Sequence, residues 1–228
     1  MKRSKLLVLL IFVFAILNCS EKKEKKSIPV PTKRKEKLIK KAEKTWDSLH
    51  KNNVESFFTA YEKTNKETKV RIQTAYGTIT LRLYNDTPIH RANFIFLTKI
   101  KYFDKTVFYR IAKNFVIQGG NSDGYDAMKS RYKYGNYLIK PEFRPNRKHK
   151  YGALAAAREW EKNPDKLSSP FEFYIVQNRK GAHHLNNEHT VFGEVISGWE
   201  TIDKIAELKT DVKEWPLVDV NMKVEILD

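Results

Sequence analysis

Cysteine is almost absent from this 228-residue chain, in which Cys19 is the only example and directly follows an apolar stretch near the N-terminus. One cysteine excludes an intrachain disulfide, and its position before any predicted domain excludes a cysteine nucleophile. The chain also lacks a glycine-rich phosphate-binding loop and a Gly-x-Ser-x-Gly motif. No His, Cys and Asp residues recur at metal-ligand spacing, and the adjacent His183 and His184 are poorly placed to share one metal. We therefore predict neither a metal nor a cofactor.

Acidic residues are scarce relative to basic ones, with 27 Asp and Glu against 43 Lys and Arg and a formal charge of +16. Such an excess is typical of nucleic-acid binding. However, residues 1–67 alone carry seventeen Lys and Arg against eight Asp and Glu, many of them in short lysine runs. We interpret these runs as a solvated tether, which argues against nucleic acid as a partner. A milder role is attraction of the tether to anionic lipid headgroups.

Long apolar runs are also missing. Three basic residues near the start precede only twelve apolar residues, Leu6 to Leu17, whereas a membrane-spanning helix needs roughly 17–25 and a signal-peptide core about 7–15. The run ends in Ile-Leu-Asn-Cys-Ser, which resembles a bacterial lipoprotein cleavage box, although Asn18 stands where Gly, Ala or Ser is usual. The resemblance implies a signal peptide over residues 1–18, lipid on Cys19 and an exported, membrane-anchored lipoprotein of the cell envelope. A short uncleaved anchor is the alternative.

Two further segments precede the main domain. Residues 19–34 are polar and Lys-rich, which predicts an extended linker. Residues 35–67 show helical spacing of apolar residues, interrupted at Asn52 and Asn53, and Asn53 is a candidate cap for the second helix. The apolar stripe of that helix consists of Val54, Phe57, Phe58 and Tyr61. We interpret it as packing on the following domain, with a partner-binding helix as the alternative.

From residue 68 the pattern changes to the alternation typical of strands, beginning with a hairpin around Tyr76 and Gly77. Helices are predicted from Pro88 and from about Trp199. The predicted strands are 70–74, 79–83, 106–111, 115–118, 153–157, 171–176, 191–196 and 220–227. Many short strands with two separated helices predict a mainly β fold, a closed antiparallel barrel capped by two helices over residues 68–228.

Residues 107–120 read Val-Phe-Tyr-Arg-Ile-Ala-Lys-Asn-Phe-Val-Ile-Gln-Gly-Gly. This segment resembles the central motif of the cyclophilins: Phe-His-Arg, a short turn, then Phe-x-x-Gln-Gly-Gly. Four flanking blocks that resemble the family occur in its order, at 88–94, 152–157, 173–175 and 184–193. From about Val70 onward the chain thus resembles a cyclophilin-type peptidyl-prolyl cis-trans isomerase. The resemblance implies a cyclophilin-like barrel that isomerises proline-containing polypeptides.

The same resemblance assigns the site. Arg110 aligns with the catalytic arginine, whose charged, rigid fork of donors would favour the twisted amide. The implied substrate-binding residues are Phe115, Val116, Gln118, Ala157, Tyr174, His184, Leu185 and His189. Gln118 would hold Arg110 or the substrate backbone, and His189 would pack and hydrogen-bond rather than act as a base. Taken alone, Arg110 also fits a surface strand arginine, and the apolar residues also fit an ordinary core.

Several residues depart from the family pattern. His184 stands where cyclosporin-sensitive members carry Trp, so we predict weak cyclosporin binding. Glu172 replaces a usual Gln, Arg158 a frequent Asn, and the stretch from Arg158 to Ser169 is longer than usual. These departures concern substrate preference more than the reaction, and we predict a monomer that assists the folding of exported proteins. The alternative is a non-catalytic proline-peptide-binding or chaperone module, with Phe57, Phe58 and Trp46 as a docking surface.

Overall fold

A computed structural model describes residues 48–227. The predicted signal peptide, Cys19, the linker and the first part of the predicted helical extension, with Trp46, lie outside the described residues. The strands are β1 (Lys69–Thr74), β2 (Gly77–Leu83), β3 (Val107–Ala112), β4 (Val116–Asn121), β5 (Ala153–Ala156), β6 (Phe173–Val176), β7 (Val191–Ser197) and β8 (Lys223–Ile226). The helices are α1 (Val54–Thr64), α2 (Pro88–Lys99), α3 (Tyr125–Tyr134) and α4 (Trp199–Ala206), with 3-10 turns at Phe103–Lys105 and His183–Leu185.

The strands form one antiparallel sheet in the order β3-β4-β6-β5-β7-β2-β1-β8. The predicted strands are confirmed, with shifts of a few residues at their ends. In the β1–β2 hairpin, Val70 lies opposite Leu81 and Ile72 opposite Ile79, and all four side chains are buried. The alternation in the sequence therefore reflects a strand pair with one face in the core.

The sheet is curled but open between β3 and β8, so the predicted closed barrel is wrong. Strand β8 pairs only with β1, and an irregular segment, 214–221, covers the outer edge of β3. The backbone N–H of Ile111 donates to the carbonyl of Glu214 (2.8 Å), and that of Phe108 donates to Val220 (3.0 Å). Glu214 has a positive φ of 64°, and Pro216 has no N–H to donate, so this segment cannot continue as a ladder strand.

The helices beginning at Pro88 and Trp199 are confirmed, but α3 was not predicted. Its sequence is mostly polar, and only Ala127 and Ser130 are buried. Because a helix with so few buried positions has almost no apolar periodicity, the sequence pattern cannot reveal it. None of the helices between residues 48 and 227 is long and apolar enough to cross a bilayer.

Helix α1 packs on the domain through its aromatic stripe, as predicted. Phe58 is fully buried, with ring centroids 5.9 Å from both Phe96 and Tyr137. This burial contradicts the hypothesis that Phe57 and Phe58 form a docking surface, because Phe58 is inaccessible. Asn53 precedes the helix but its side chain makes no cap bond; its Oδ1 instead accepts a bond from the His50 N–H (2.8 Å).

Strands β4, β5 and β6 are buried on both faces. Ile117 and Ile175 belong to the main core, whereas their neighbours Val116 and Tyr174 belong to a second apolar cluster on the opposite face. Successive side chains of a strand point to opposite faces, so one sheet supports two separate apolar layers. Gly120, the last residue but one of β4, has φ +91°, and a Cβ there would lie 2.1 Å from the carbonyl oxygen of Phe171. The second apolar layer carries the candidate site.

Candidate active site

All nine residues predicted for the catalytic and substrate-binding site line one cavity of about 400 Å³. They are Arg110, Phe115, Val116, Gln118, Ala157, Tyr174, His184, Leu185 and His189. Arg158 and Trp160, which were not predicted as site residues, also line it. The structure thus brings together side chains from positions 110 to 189, while their individual roles stay predictions.

Strand register explains how the central residues meet. Arg110 on β3 lies opposite Gln118 on β4, and Gln118 lies opposite Tyr174 on β6. Tyr174 in turn lies opposite Ala155 on β5. Residues that are directly opposite in a sheet point to the same face, so this row places Arg110, Gln118 and Tyr174 side by side on the cavity face.

Two side chains hold the Arg110 guanidinium. Its Nη1 donates to Oε1 of Gln118 at 3.4 Å, and its Nε lies 2.7 Å from Oε2 of Glu214. The side chain of Arg110 is 34% exposed, so its charge is neither buried nor fully solvated. A guanidinium has five N–H donors, and these two contacts therefore leave donors free for a substrate in the cavity.

A hydrogen-bonded chain orients Gln118 from the other side. Its Nε2 donates to the Tyr109 hydroxyl, which donates to Oε2 of Glu172 at 3.0 Å. Arg131 donates to the other oxygen of Glu172 at 2.9 Å. Burial, together with the Glu172 carboxylate, raises the pKa of Tyr109 far above 10.0, so the phenol keeps its proton. Tyr109 stands where the motif has His, and Glu172 stands where a Gln is usual elsewhere in the family; the two departures are hydrogen-bonded directly to each other.

Tyr174 forms part of the cavity wall, and a buried histidine lies behind it. The Tyr174 hydroxyl is 2.9 Å from Nε2 of His149, whose Nδ1 is 3.0 Å from Oδ1 of Asn186. Since the amide oxygen of Asn186 can only accept, Nδ1 carries the proton and Nε2 accepts from Tyr174. Burial lowers the pKa of His149 from 6.5 to about 4, so the ring is neutral at pH 7. This bond fixes the position of the Tyr174 ring.

His189 is also buried and neutral. Its Nδ1 donates to the carbonyl oxygen of Ala156 (3.0 Å), and burial lowers its pKa from 6.5 to about 4. Its ring packs edge-on against Tyr174 with centroids 5.4 Å apart. This environment agrees with the predicted packing and hydrogen-bonding role.

The rim of the cavity consists of aromatic rings. His184 stacks on Phe115 with ring centroids 5.5 Å apart. Trp160 packs on His189 at 5.1 Å and on the Arg158 guanidinium at 4.2 Å. Arg158 is itself fixed, because it donates both to the carbonyl and to the carboxylate of Glu188 (2.7 and 2.8 Å). Trp160 therefore has a defined position although it is 58% exposed.

The cavity adjoins a larger groove of about 1240 Å³, bounded by α3 and the segment 157–172. Gln118, Ala157 and Arg158 line both spaces. A polypeptide with one residue in the smaller cavity therefore has space for its neighbouring residues. No group of three His, Cys, Asp or Glu side chains within residues 48–227 is arranged to hold a metal ion.

Besides Arg158, which was noted only as a departure from the family pattern, sequence reasoning missed three residues around this cavity. Trp160 lies in the stretch noted as unusually long, which was the only available signal for it. His149 and Glu214 lie in polar loops far along the chain from Tyr174 and Arg110, and nothing in the local sequence marks either of them. Only the fold reveals their contacts with the site.

Comparison with known proteins was consistent with this geometry. Residues 69–226 match the family of cyclophilin type peptidyl-prolyl cis-trans isomerase/CLD proteins. The chain is 34% identical over 145 residues to a peptidyl-prolyl cis-trans isomerase of Acinetobacter baylyi, covering 63% of this chain and 74% of that protein. It is 32% identical over 169 residues to peptidyl-prolyl cis-trans isomerase-like 2 of Rhizopus delemar, covering 72% of this chain but only 29% of that protein.

A solved structure also resembles this one. The crystal structure of a Cryptosporidium parvum cyclophilin type peptidyl-prolyl cis-trans isomerase aligns with a TM-score of 0.60 at 26% identity. The alignment covers 71% of this chain and 98% of that protein. The likeness thus extends over nearly the whole length of that protein.

Proposed function

The chain belongs to the cyclophilin type peptidyl-prolyl cis-trans isomerase family, and from this premise we propose that its cavity catalyses the cis-trans isomerisation of X-Pro bonds in polypeptides. One observation carries the proposal. The Arg110 guanidinium lines the same cavity as the apolar residues Phe115, Val116, Tyr174 and Leu185. A charged donor beside an apolar space that can hold a proline ring is what this reaction requires.

The reaction breaks no covalent bond. The X-Pro C–N bond has partial double-bond character, and rotation about it meets a barrier of about 18–20 kcal/mol. When the amide twists, its resonance is lost and the lone pair returns to nitrogen. A free N–H of Arg110 would donate to that lone pair, which stabilises the twisted state more than the planar one. Each reduction of the barrier by about 1.36 kcal/mol gives a tenfold rate increase.

The apolar wall has a separate role. The rings of Phe115 and Tyr174 and the side chains of Val116 and Leu185 would hold the proline ring, so that the preceding carbonyl rotates relative to a fixed ring. Gln118 would keep Arg110 aimed at the cavity or bind the substrate backbone. The neighbouring groove would accept the residues that flank the proline.

A protease-coupled assay with a short proline peptide tests the proposal on the full chain. Arg110→Ala should lower kcat/KM about 100-fold, because it removes the donor, and should change stability little. Arg71→Ala is a matched control: Arg71 is also a strand arginine, 40% exposed and paired with a glutamate at 3.1 Å, but on β1. Near-normal turnover by Arg110→Ala would overturn the catalytic assignment. If the wild type binds the peptide but does not accelerate its isomerisation, the alternative of a non-catalytic binding module would be correct.

We further propose that the protein is an exported lipoprotein, monomeric and anchored in a bacterial cell envelope through Cys19, where it assists the folding of exported proteins. The short apolar run and the Ile-Leu-Asn-Cys-Ser sequence support this proposal. Metabolic labelling with radioactive palmitate should mark the wild type and leave Cys19→Ala unlabelled. Equal labelling of both chains would contradict the anchor. Light scattering of the purified protein tests whether it is a monomer.

A further inference from the structure

The contact between Arg110 and Glu214 is not part of the family motif noted in the sequence. The Glu214 carboxylate lies 2.7 Å from Nε of Arg110, whereas Gln118 accepts from Nη1. We propose that Glu214 is a positioning residue that holds the Arg110 guanidinium in the orientation used for catalysis. This inference rests on the proposed function.

Glu214 lies in a turn that several hydrogen bonds hold together. Asp211 accepts bonds on Oδ1 from the backbone N–H groups of Lys213 (2.8 Å) and Trp215 (2.9 Å), and its own N–H donates to the carbonyl of Trp215 (2.8 Å). The carbonyl of Glu214 accepts from Ile111, the residue directly after Arg110. The turn is therefore attached to the strand that carries Arg110, which fixes the backbone of Glu214 relative to that strand.

An aromatic contact fixes the same turn a second time. The Trp215 ring packs on Tyr109 with centroids 5.5 Å apart, and Tyr109 binds Gln118 through its hydroxyl. Both side chains that hold Arg110 are thus tied to one network: Gln118 through the hydroxyl of Tyr109, and Glu214 through the turn that packs on its ring. Two contacts on different nitrogens determine both the position of the guanidinium and its rotation.

The backbone of Glu214 is strained, with φ at 64°. A non-glycine residue with positive φ is uncommon and costs stability. Glycine would adopt this conformation without strain, yet the chain places a glutamate here, with its carboxylate on Arg110. The strain is explained if the carboxylate is needed at this point.

This strain supplies a test that separates positioning from stability. Glu214→Gly removes the carboxylate and relieves the backbone, so the melting temperature should stay level or rise, while kcat falls about tenfold with KM nearly unchanged. Glu214→Gln keeps an acceptor for the Nε–H and should lose less than Glu214→Gly. In an Arg110→Ala background, Glu214→Gly should have no further effect, because a positioning residue acts only through its partner.

Glu207→Gln is the matched control for Glu214→Gln, because Glu207 forms a comparable ion pair at 2.5 Å, but with Lys113, which does not line the cavity. Wild-type kcat in Glu214→Gly, or a loss of kcat that only follows a loss of stability, would overturn the proposal. An inactive wild type would instead refute the proposed function. NMR then decides independently: the Arg110 Nε–H should exchange with water faster in Glu214→Gly, and an unchanged exchange rate would overturn the positioning role.

Discussion

Acidification should destabilise this protein in a pH range set by His149 and His189. Both histidines are neutral in the fold, where burial lowers each pKa from 6.5 to about 4. The unfolded chain protonates them near pH 6.5, so unfolding takes up protons below that pH. The free energy of unfolding therefore falls as pH falls from 6.5 towards 4, and this contribution levels off below 4.

The magnitude follows from the two pKa values. Integrating the proton uptake between about pH 7.5 and about pH 5 gives roughly 2 kcal/mol of lost stability for each histidine. Together the two histidines lower the free energy of unfolding by at most about 4 kcal/mol over this pH range. This is a large part of the 5–15 kcal/mol that is typical of the unfolding of a whole protein. Four glutamates also have lowered pKa values: Glu62, Glu188, Glu194 and Glu225. Since their unfolded pKa is 4.5, they add little above pH 5.

Urea unfolding followed by tryptophan fluorescence measures the effect. The unfolding free energy of the wild type should decrease steadily between about pH 6.5 and about pH 5. His149→Gln should reduce this decrease by about half, because it removes one of the two titrating groups and can still bond Tyr174. His50→Gln is the control, since His50 is exposed. A stability that stays level across this range, or an unaltered slope in His149→Gln, would refute the reasoning.

Three other substitutions test the walls of the site and the core. Tyr174→Phe leaves Nε2 of buried His149 without its donor, so urea denaturation should show a loss of about 1–3 kcal/mol of unfolding free energy. Turnover should change little, because the ring remains. A large loss of turnover would show that the hydroxyl acts on the substrate. His184→Trp should raise cyclosporin affinity in isothermal titration, and no gain would mean that His184 does not determine sensitivity. Phe58→Ala should cost about 3–5 kcal/mol of unfolding free energy, because its ring is fully buried; a loss near zero would mean that α1 contributes nothing to the domain.

The sequence predicted most of the sheet because strand alternation is a local property. The strands around Val70, Ile79 and Ile117 were recognisable from period-two apolar positions alone. The motif around Arg110 indicated the site, and the resemblance added its distant members up to His189. The structure places all nine of these residues in one cavity, although it leaves their chemical roles to experiment.

The errors have a common cause. Whether the sheet closes depends on the path of segment 214–221 over β3, which local pattern does not encode. Helix α3 went unpredicted because it buries too few residues for periodicity to show it. The docking-surface hypothesis for Phe57 and Phe58 was wrong because an apolar helical stripe looks the same whether it packs inward or faces a partner.

By itself the sequence determined the strands, the two helices at Pro88 and Trp199, and the set of side chains available for chemistry, because each follows from spacing or a short motif. Only the tertiary structure decided which groups hold those side chains. Glu214 reaches Arg110 although the two are 104 positions apart in the chain, and His149 reaches Tyr174 from a separate loop. Such pairings depend on loop paths and strand register, and these are decided when the whole core packs.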